Sequence, residues 1–202
     1  REVVAGFFKI PDPARLSFTK NATEALNIAI RGCLKPNDHV ITTSMEHNSV
    51  IRPLKAMERD IGVEISFAKS GRYGEIDPYE FVKLIKSNTR LIICTMSSNV
   101  NGTIFPVKNV GQIARDNGIL FLVDASQGAG YEEIDVSDMN IDLLAFPGHK
   151  GLLGPQGTGG LYVKEGVNID PLMQGGTGSE SKSMYQPRFM PDLLESGTLN
   201  TP

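Results

Sequence analysis

The chain has 202 residues, 40% of them hydrophobic and 21% charged, which is an ordinary composition for a globular domain with one good core. A formal net charge of −3, with no block of five like charges, argues against a nucleic-acid partner. The apolar runs are too short to cross a bilayer, no signal peptide opens the sequence, and two cysteines are too few for a disulfide scaffold. We therefore expect a cytoplasmic protein with neither membrane nor nucleic-acid partners.

Short apolar segments rich in β-branched residues alternate with helical patterns along the chain. Such alternation is typical of a parallel sheet with helices on both faces. The predicted strands are residues 16–19, 39–43, 64–68, 91–96, 120–124, 143–146 and 160–163. The predicted helices are residues 23–31, 50–61, 78–86 and 107–116. The sequence therefore predicts an α/β fold built on a mostly parallel, seven-stranded sheet.

Capping signals indicate where two of these helices begin or end. Asn21 offers a polar entry to the first helix and Gly32 follows its predicted end. Asp77 precedes a proline that would occupy the first position of the third helix. From about residue 167 onward, Gly, Ser, Pro and Met replace the periodic pattern. We expect this tail to form a long ordered loop or an arm that packs against another surface.

Polar residues follow five of the predicted strands at the points where the chain leaves the sheet. They occupy positions 21–23, 46–48, 98–100, 124–127 and 149–150. Parallel α/β sheets bind ligands outside the carboxyl ends of their strands. Because all five loops start at this edge of the sheet, we expect their side chains to form one site.

Lys150 lies in a glycine-rich turn, directly after His149 and a predicted apolar strand. An amine in such a turn has a chemical purpose if it forms a Schiff base with a carbonyl cofactor. Most lysines are instead exposed on loops, and a lone Gly-His-Lys pattern does not separate the two interpretations. Asp124, an acid at the end of another strand predicted to be buried, favours the first interpretation when both residues are considered together.

Six motifs occur in the order found in a known family: Asn21-Ala22-Thr23-Glu24, Glu46-His47-Asn48, Ser98-Asn99-Val100-Asn101-Gly102-Thr103, Asp124-Ala125-Ser126-Gln127, Gly148-His149-Lys150 and Ser196-Gly197-Thr198. With them the chain resembles the class V aminotransferases over nearly its whole length, and most of all the cysteine desulfurases and selenocysteine lyases. The resemblance implies pyridoxal 5′-phosphate as cofactor and the large domain of fold type I as architecture. It further implies that residues 1–202 are part of that domain, without the family's N-terminal segment and C-terminal small domain.

The resemblance implies catalytic roles for three residues. Lys150 would hold the cofactor as a Schiff base and carry a proton to and from the substrate Cα. Asp124 would pair with the protonated pyridine nitrogen and keep the ring electron-withdrawing. His47 would stack on the pyridine face and act as an acid or base toward the substrate.

The same resemblance implies further contacts with the cofactor. Gln127 would bind the phenolic oxygen of the ring, and Asn99 would contact the same edge. The backbone amides of Ala22 and Thr23 would bind the phosphate at a helix N-terminus, where free N–H groups and the helix dipole favour an anion. The Thr23 hydroxyl and His149 would be additional donors. No residue is expected to bind a metal.

The family resemblance implies a shared site, but it is incomplete. Thr198 matches a threonine that binds the phosphate of the neighbouring subunit, so a homodimer with shared active sites is implied. Pro147 stands where the family has a phosphate-binding serine, and proline offers neither a hydroxyl nor an N–H. Desulfurases also use a mobile cysteine and a substrate-binding arginine that lie beyond the matched region. Neither Cys33, at a helix end, nor Cys94, inside a strand, is expected to attack a substrate.

The resemblance thus predicts a cysteine desulfurase, which converts L-cysteine to L-alanine and passes the sulfur on as a persulfide to an acceptor protein. Transamination or epimerisation of another amino acid would use the same motifs, so both remain alternatives. A non-catalytic fragment that binds the cofactor is a third interpretation.

Overall fold

The protein is built on a seven-stranded sheet, which we describe from a computed structural model covering residues 1–198. The strands are β1 (Leu16–Thr19), β2 (His39–Thr43), β3 (Glu64–Ala68), β4 (Thr89–Thr95), β5 (Leu120–Asp124), β6 (Leu143–Pro147) and β7 (Gly159–Val163). Their order across the sheet is β1-β7-β6-β5-β4-β2-β3. Strands β6, β5, β4, β2 and β3 are parallel, and β7 runs antiparallel to both of its neighbours, β6 and β1. The predicted α/β class and mostly parallel sheet are confirmed.

The helices lie between these strands and cover the sheet. They are α1 (Glu2–Phe7), a 3₁₀ turn at Pro13–Arg15, α2 (Ala22–Cys33), α3 (Asn48–Ile61), α4 (Tyr79–Val82) and α5 (Val107–Asp116). The short helix α1 was not predicted from the sequence. Over residues 1–198, no helix is both long and apolar enough to cross a membrane.

Two hydrophobic clusters form the core, one on each face of the sheet. Along β4, Ile92 and Cys94 belong to one cluster, while Leu91 and Ile93 belong to the other. Side chains of α1, α4 and α5 complete the first cluster, and those of α2 and α3 complete the second. Because successive residues of a strand point to opposite faces, a strand buried on both faces is apolar at every position. This burial explains why the central strands appear in the sequence as continuous apolar runs.

The predicted helix over residues 78–86 was wrong in its length. Only Tyr79–Val82 is α-helical, and Pro78 is the N-cap. The Asp77 carboxylate accepts a hydrogen bond from the Tyr79 N–H (2.9 Å), as expected of a capping residue. Asp77 nevertheless lies one position before the N-cap residue, Pro78. After Val82 the backbone bonds join residues three apart, such as Leu84 N–H to the Phe81 carbonyl at 3.0 Å. Phe81 is fully buried, so packing against the sheet fixes a single turn here despite a helical sequence pattern.

Gly32 does not end the first long helix, as the sequence suggested. Helix α2 continues through Gly32 to Cys33, and the C-terminal tail crosses it there at very short range. A Cβ atom on Gly32 would lie 2.5 Å from the backbone oxygen of Asp170. The glycine therefore permits the contact between this helix and the tail, rather than a change of backbone direction.

The described part of the tail, residues 164–198, contains no helix or strand and is held to the sheet edge by Glu195. One Glu195 carboxylate oxygen accepts hydrogen bonds from the Phe18 N–H (2.6 Å) and from Arg1 (2.8 Å), and the other accepts a second bond from Arg1 (2.9 Å). Arg1 also donates to the Leu16 carbonyl and stacks on the Phe18 ring. The acid thus satisfies an outward N–H of the edge strand β1, where an unpaired group would be unfavourable.

We predict that Glu195→Ala lowers the free energy of unfolding by about 2–3 kcal/mol, because it leaves a half-buried arginine and a strand N–H without an acceptor. Urea unfolding measured by circular dichroism would quantify the loss. The control is Glu133→Ala, which removes an exposed pair with Lys9 and should change stability by less than about 0.5 kcal/mol. Equal effects of the two substitutions would show that Glu195 does not anchor the tail.

Candidate active site

A cleft of about 210 Å³ opens at the carboxyl ends of the parallel strands. It lies where β2, β4, β5 and β6 end and where helices α2 and α3 begin. Its lining contains all but one of the residues predicted for the site, and it also contains residues that were not predicted. The complete lining is Asn21, Ala22, Thr23, His47, Ser49, Thr95, Ser97, Asn99, Asp124, Ser126, Gln127, Pro147, His149 and Lys150. The expectation that loops from separate strands converge on one site is therefore met by the geometry.

Asp124 is the acid at the centre of the cleft. It ends β5 and is only 2% exposed, and its carboxylate accepts a hydrogen bond from the Ser126 N–H at 2.9 Å. Burial raises the pKa of Asp124 above its usual value, because the charged form loses its hydration. Hydrogen bonding from Ser126 and the charge of Lys150, with a smaller electrostatic contribution from His47, act in the opposite direction and favour the carboxylate. Asp124 is therefore a buried acid whose ionised form depends on these neighbouring groups.

Lys150 faces the same cleft from the turn that follows β6. The turn is closed by hydrogen bonds from Leu153 N–H to the Lys150 carbonyl (2.9 Å) and from Gly154 N–H to the Gly148 carbonyl (2.8 Å). A Cβ atom on Gly151 would lie 2.3 Å from the carbonyl oxygen of Ala129, so glycine allows this turn to pack on the loop after β5. Among residues 1–198, the lysine amine has no ion-pair or hydrogen-bond partner. It is a half-buried amine available to a ligand.

The N-terminus of α2 forms another side of the cleft. The Asn21 side chain caps it by accepting a hydrogen bond from the Glu24 N–H at 2.9 Å. Within the described part of the chain, the N–H groups of Ala22 and Thr23 have no acceptor. The first N–H groups of a helix carry the positive end of its dipole, so this turn favours an anion. Both residues predicted to bind a phosphate through their amides thus have those amides free.

His47 is the N-cap of α3, a role that the sequence did not predict because the helix was expected to begin at residue 50. Its Nδ1 atom accepts a hydrogen bond from the Ser49 N–H (3.1 Å) and lies 2.9 Å from the Ser49 hydroxyl. Because Nδ1 acts as an acceptor, the neutral ring carries its proton on Nε2. Nε2 has no partner among residues 1–198, so it can serve a ligand.

Asn99 and Gln127 lie on the two loops that follow β4 and β5. The loop that carries Asn99 is closed by a hydrogen bond from Ser98 N–H to the Thr103 carbonyl at 2.9 Å. It is also tied to a neighbouring loop, since the side chains of Asn101 and Thr103 both donate to the Tyr73 carbonyl at 2.7 Å. Asn99 is exposed and Gln127 is half-buried, so both amides remain accessible.

Thr198 is the predicted site residue that the structure does not bring into the cleft. It lines a separate cavity of about 640 Å³, together with the glycines of the turn after β6 and apolar residues such as Ile28 and Leu194. The two cavities share no lining residue, and the turn after β6 contributes Gly148 to one and Lys150 to the other. A contact between Thr198 and a neighbouring subunit remains a prediction.

Glu46 is an acid to which the sequence analysis gave no role. One of its carboxylate oxygens accepts hydrogen bonds from the Thr43 hydroxyl (2.7 Å) and the Thr95 N–H (3.0 Å), while the other is buried without a partner. Burial raises the pKa of Glu46 to about 8, and the negative charge of Asp124 contributes in the same direction. The hydrogen bonds from Thr43 and Thr95 act in the opposite direction but do not offset the burial, so Glu46 is the acid that holds its proton. The signal in the sequence is an acid that directly follows a strand and precedes His47.

The raised pKa of Glu46 should make the free energy of unfolding depend on pH. Its pKa is raised in the folded state from an ordinary value of about 4.3, so the folded protein holds one more proton than the unfolded chain between about pH 5 and 8. Stability should therefore fall as the pH rises through this window, by up to about 1.4 kcal/mol per pH unit. Glu46→Gln keeps both hydrogen bonds but has no ionisable group at this position. The unfolding free energy of this variant should therefore fall by less over the same pH range.

Urea unfolding of both proteins at pH 5.5, 6.5 and 7.5 would measure this difference. Glu133→Gln, which changes an exposed acid, should follow the native protein at each pH. If the unfolding free energies of the native protein and Glu46→Gln change with pH in parallel, Glu46 ionises normally in the folded state.

Comparisons with known proteins agree with the geometry of the cleft. The family model for aminotransferase class-V matches residues 1–202. A probable cysteine desulfurase of Methanothermobacter thermautotrophicus is 41% identical over 99% of this chain and 51% of its own length. The apo structure of the cysteine desulfurase from Thermococcus onnurineus superposes with a TM-score of 0.91 at 35% identity, over 98% of this chain and 51% of that one.

A further solved structure, described as SspA in complex with cysteine, has a TM-score of 0.82 at 34% identity, over 87% of this chain and 51% of that chain. The chain spans about half the length of the curated relatives it matches. Because a family model covers its whole length and the matching structures share its fold, the chain belongs to the class V aminotransferase family.

Proposed function

We propose that this chain is the cofactor-binding part of a pyridoxal-phosphate-dependent cysteine desulfurase. The observation that supports this most is that Lys150 and Asp124, which belong to different strand ends, line the same small cleft. Relatives and superposable structures named cysteine desulfurases support the choice of reaction. One matching protein, SspA, is described in complex with cysteine, which supports this amino acid as substrate.

The groups in the cleft fit pyridoxal 5′-phosphate at three separate points. A free amine, Lys150, suits its carbonyl carbon, and a buried acid, Asp124, suits its protonated ring nitrogen. The unpaired N–H groups of Ala22 and Thr23, at the positive end of α2, suit its phosphate. An amine, an acid and an anion-binding turn in one cleft match the three polar ends of this cofactor.

The chemistry depends on how these residues place charge and protons. Pyridoxal phosphate, when bound, supplies an electron sink that stabilises negative charge at the substrate Cα. Asp124 would keep the ring nitrogen protonated, because a buried carboxylate strongly favours a positive partner. Lys150 would hold the carbonyl carbon and move a proton to and from Cα, since its amine has no competing partner among residues 1–198.

The remaining cleft residues would hold and orient the ligand. His47 would cover one face of the ring and offer its Nε2 proton to the substrate, because its Nδ1 is engaged in the helix cap. Gln127 would donate to the phenolic oxygen, with Asn99 at the same edge. His149 would add a donor for the phosphate. Because Glu46 would be neutral, the two acids Glu46 and Asp124 would together carry one negative charge.

The sulfur-accepting thiol would come from outside these residues. Burial raises the pKa of Cys33 to about 12 and also raises that of Cys94, so neither provides a thiolate at neutral pH. Both cysteines are buried in the core clusters, and neither lines the cleft. A thiol elsewhere in the whole enzyme would take the sulfur and pass it as a persulfide to an acceptor protein. We also propose a cytoplasmic homodimer in which Thr198 binds the phosphate of the neighbouring site.

Lys150→Ala in the full-length protein should abolish both the visible absorption of the bound cofactor and the release of sulfide from cysteine in the presence of a thiol reductant, which reduces the persulfide. The reason is that no other amine lines the cleft within the described residues. Lys20→Ala changes an exposed lysine outside the cleft and should retain both signals. Retention of absorbance and sulfide release by Lys150→Ala would exclude the proposed role. Keto-acid formation or epimerisation without sulfide would instead favour the alternative reactions on the same cofactor.

Asp124→Asn should retain the cofactor but lower turnover by about a hundredfold or more, because a neutral amide no longer holds the ring nitrogen in its protonated form. Cofactor content by absorbance and alanine formation from cysteine would measure the two effects separately. Asp142→Asn is a matched control, since Asp142 accepts hydrogen bonds from Lys164 and the Phe121 N–H and does not line the cleft. The turnover of this variant should be unchanged. Near-normal turnover of Asp124→Asn would remove Asp124 from this role.

A further inference from the structure

A second hydroxyl lies at the anion-binding end of the cleft. The Ser49 Oγ atom is 2.8 Å from the Thr23 Oγ1 atom, and both residues line the cleft. Thr23 is in the first turn of α2 and Ser49 in the first turn of α3, so the two hydroxyls bridge the N-termini of these helices. The sequence did not indicate a role for Ser49, because the helix that carries it was predicted to begin at residue 50.

Ser49 is held in this position by backbone contacts that do not need its hydroxyl. Its N–H donates to the His47 Nδ1 atom at 3.1 Å and so completes the cap of α3. The hydroxyl lies 2.9 Å from the same nitrogen, but that nitrogen already has a donor. When the Thr23 hydroxyl donates to Ser49 Oγ, the hydroxyl proton of Ser49 is available to another acceptor without loss of the cap.

The wall of the cleft formed by the end of β6 carries no hydroxyl at Pro147. Pro147 lines the cleft there and carries neither a hydroxyl nor an N–H. It pairs with Gly159, where a Cβ atom would lie 2.8 Å from the Asn21 backbone, so this wall is pressed directly against the start of α2. An anion at this end can therefore receive hydroxyl hydrogen bonds from the side of α3, but not from β6.

We propose that Ser49 binds the phosphate of the cofactor, with its hydroxyl acting together with the Thr23 hydroxyl and the free N–H groups of Ala22 and Thr23. This inference rests on the proposed function, because it assumes that the anion in the cleft is that of pyridoxal phosphate. Two helices of 12 and 14 residues begin beside this position, and the positive ends of both dipoles favour the same anion. Ser49 thereby supplies a donor at the end of the cleft where Pro147 supplies none.

The experiment compares the binding of three ligands to full-length native protein, Ser49→Ala and Ser49→Thr. The ligands are pyridoxal 5′-phosphate, pyridoxal without the phosphate, and inorganic phosphate, with dissociation constants measured by absorbance or calorimetry. Ser49→Ala should weaken pyridoxal phosphate and inorganic phosphate by about tenfold, the usual effect of losing one hydrogen bond to a charged group. The binding of pyridoxal should be unchanged, and Ser49→Thr, which keeps a hydroxyl, should bind all three ligands as the native protein does.

The matched control is Ser44→Ala, which removes an exposed hydroxyl that pairs with Ser70 outside the cleft. It should leave all three dissociation constants unchanged, and thermal melting would show that each variant is folded. Unchanged phosphate affinity in Ser49→Ala, or equal weakening of pyridoxal with and without its phosphate, would overturn the role of Ser49. Absence of pyridoxal phosphate binding by the native protein would instead overturn the proposed function, so the two failures are distinguishable.

Discussion

The burial of the Asp124 carboxylate at the end of β5 is the constraint on which the candidate site depends. A charge at that depth is unfavourable unless donors or positive groups compensate for its lost hydration. In the described structure, the compensation comes from hydrogen bonding to Ser126 and from the nearby charge of Lys150, with a smaller electrostatic contribution from His47. These groups belong to three different strand ends, so the compensation exists only because the parallel sheet brings those ends to one edge. A cofactor with a protonated ring nitrogen would add a further positive partner for the Asp124 carboxylate.

Close backbone packing explains why glycines crowd the chain around Lys150. A Cβ atom on Gly151 would overlap the Ala129 carbonyl, and one on Gly130 would lie 2.2 Å from the Gly151 carbonyl. Gly130 also has a positive φ of 91°, which side chains rarely adopt. These contacts hold the lysine turn against the loop that follows Asp124. The spacing between the backbones of Lys150 and Asp124 is thus set by direct backbone contacts.

The segment from Glu46 to Ser49 combines three roles in four residues. Glu46 has a buried carboxylate oxygen and is influenced by the charge of Asp124, His47 caps a helix, and Ser49 approaches the anion-binding turn. The three side chains point to different surroundings because the chain changes here from strand to helix. Such a transition lets consecutive residues reach the core, the ring-binding part of the cleft and its phosphate-binding end.

The sequence by itself determined the α/β class, six of the seven strands to within one residue, and the order of the polar loops. It could do so because buried parallel strands require continuous apolar runs, and because ligands bind where such strands end. The tertiary structure alone decided the single turn at Tyr79–Val82, the passage of α2 through Gly32, and the separation of Thr198 from the cleft. It also revealed Glu46 and Ser49, since burial and hydroxyl pairing between distant residues depend on packing, which leaves no periodic signal in the sequence.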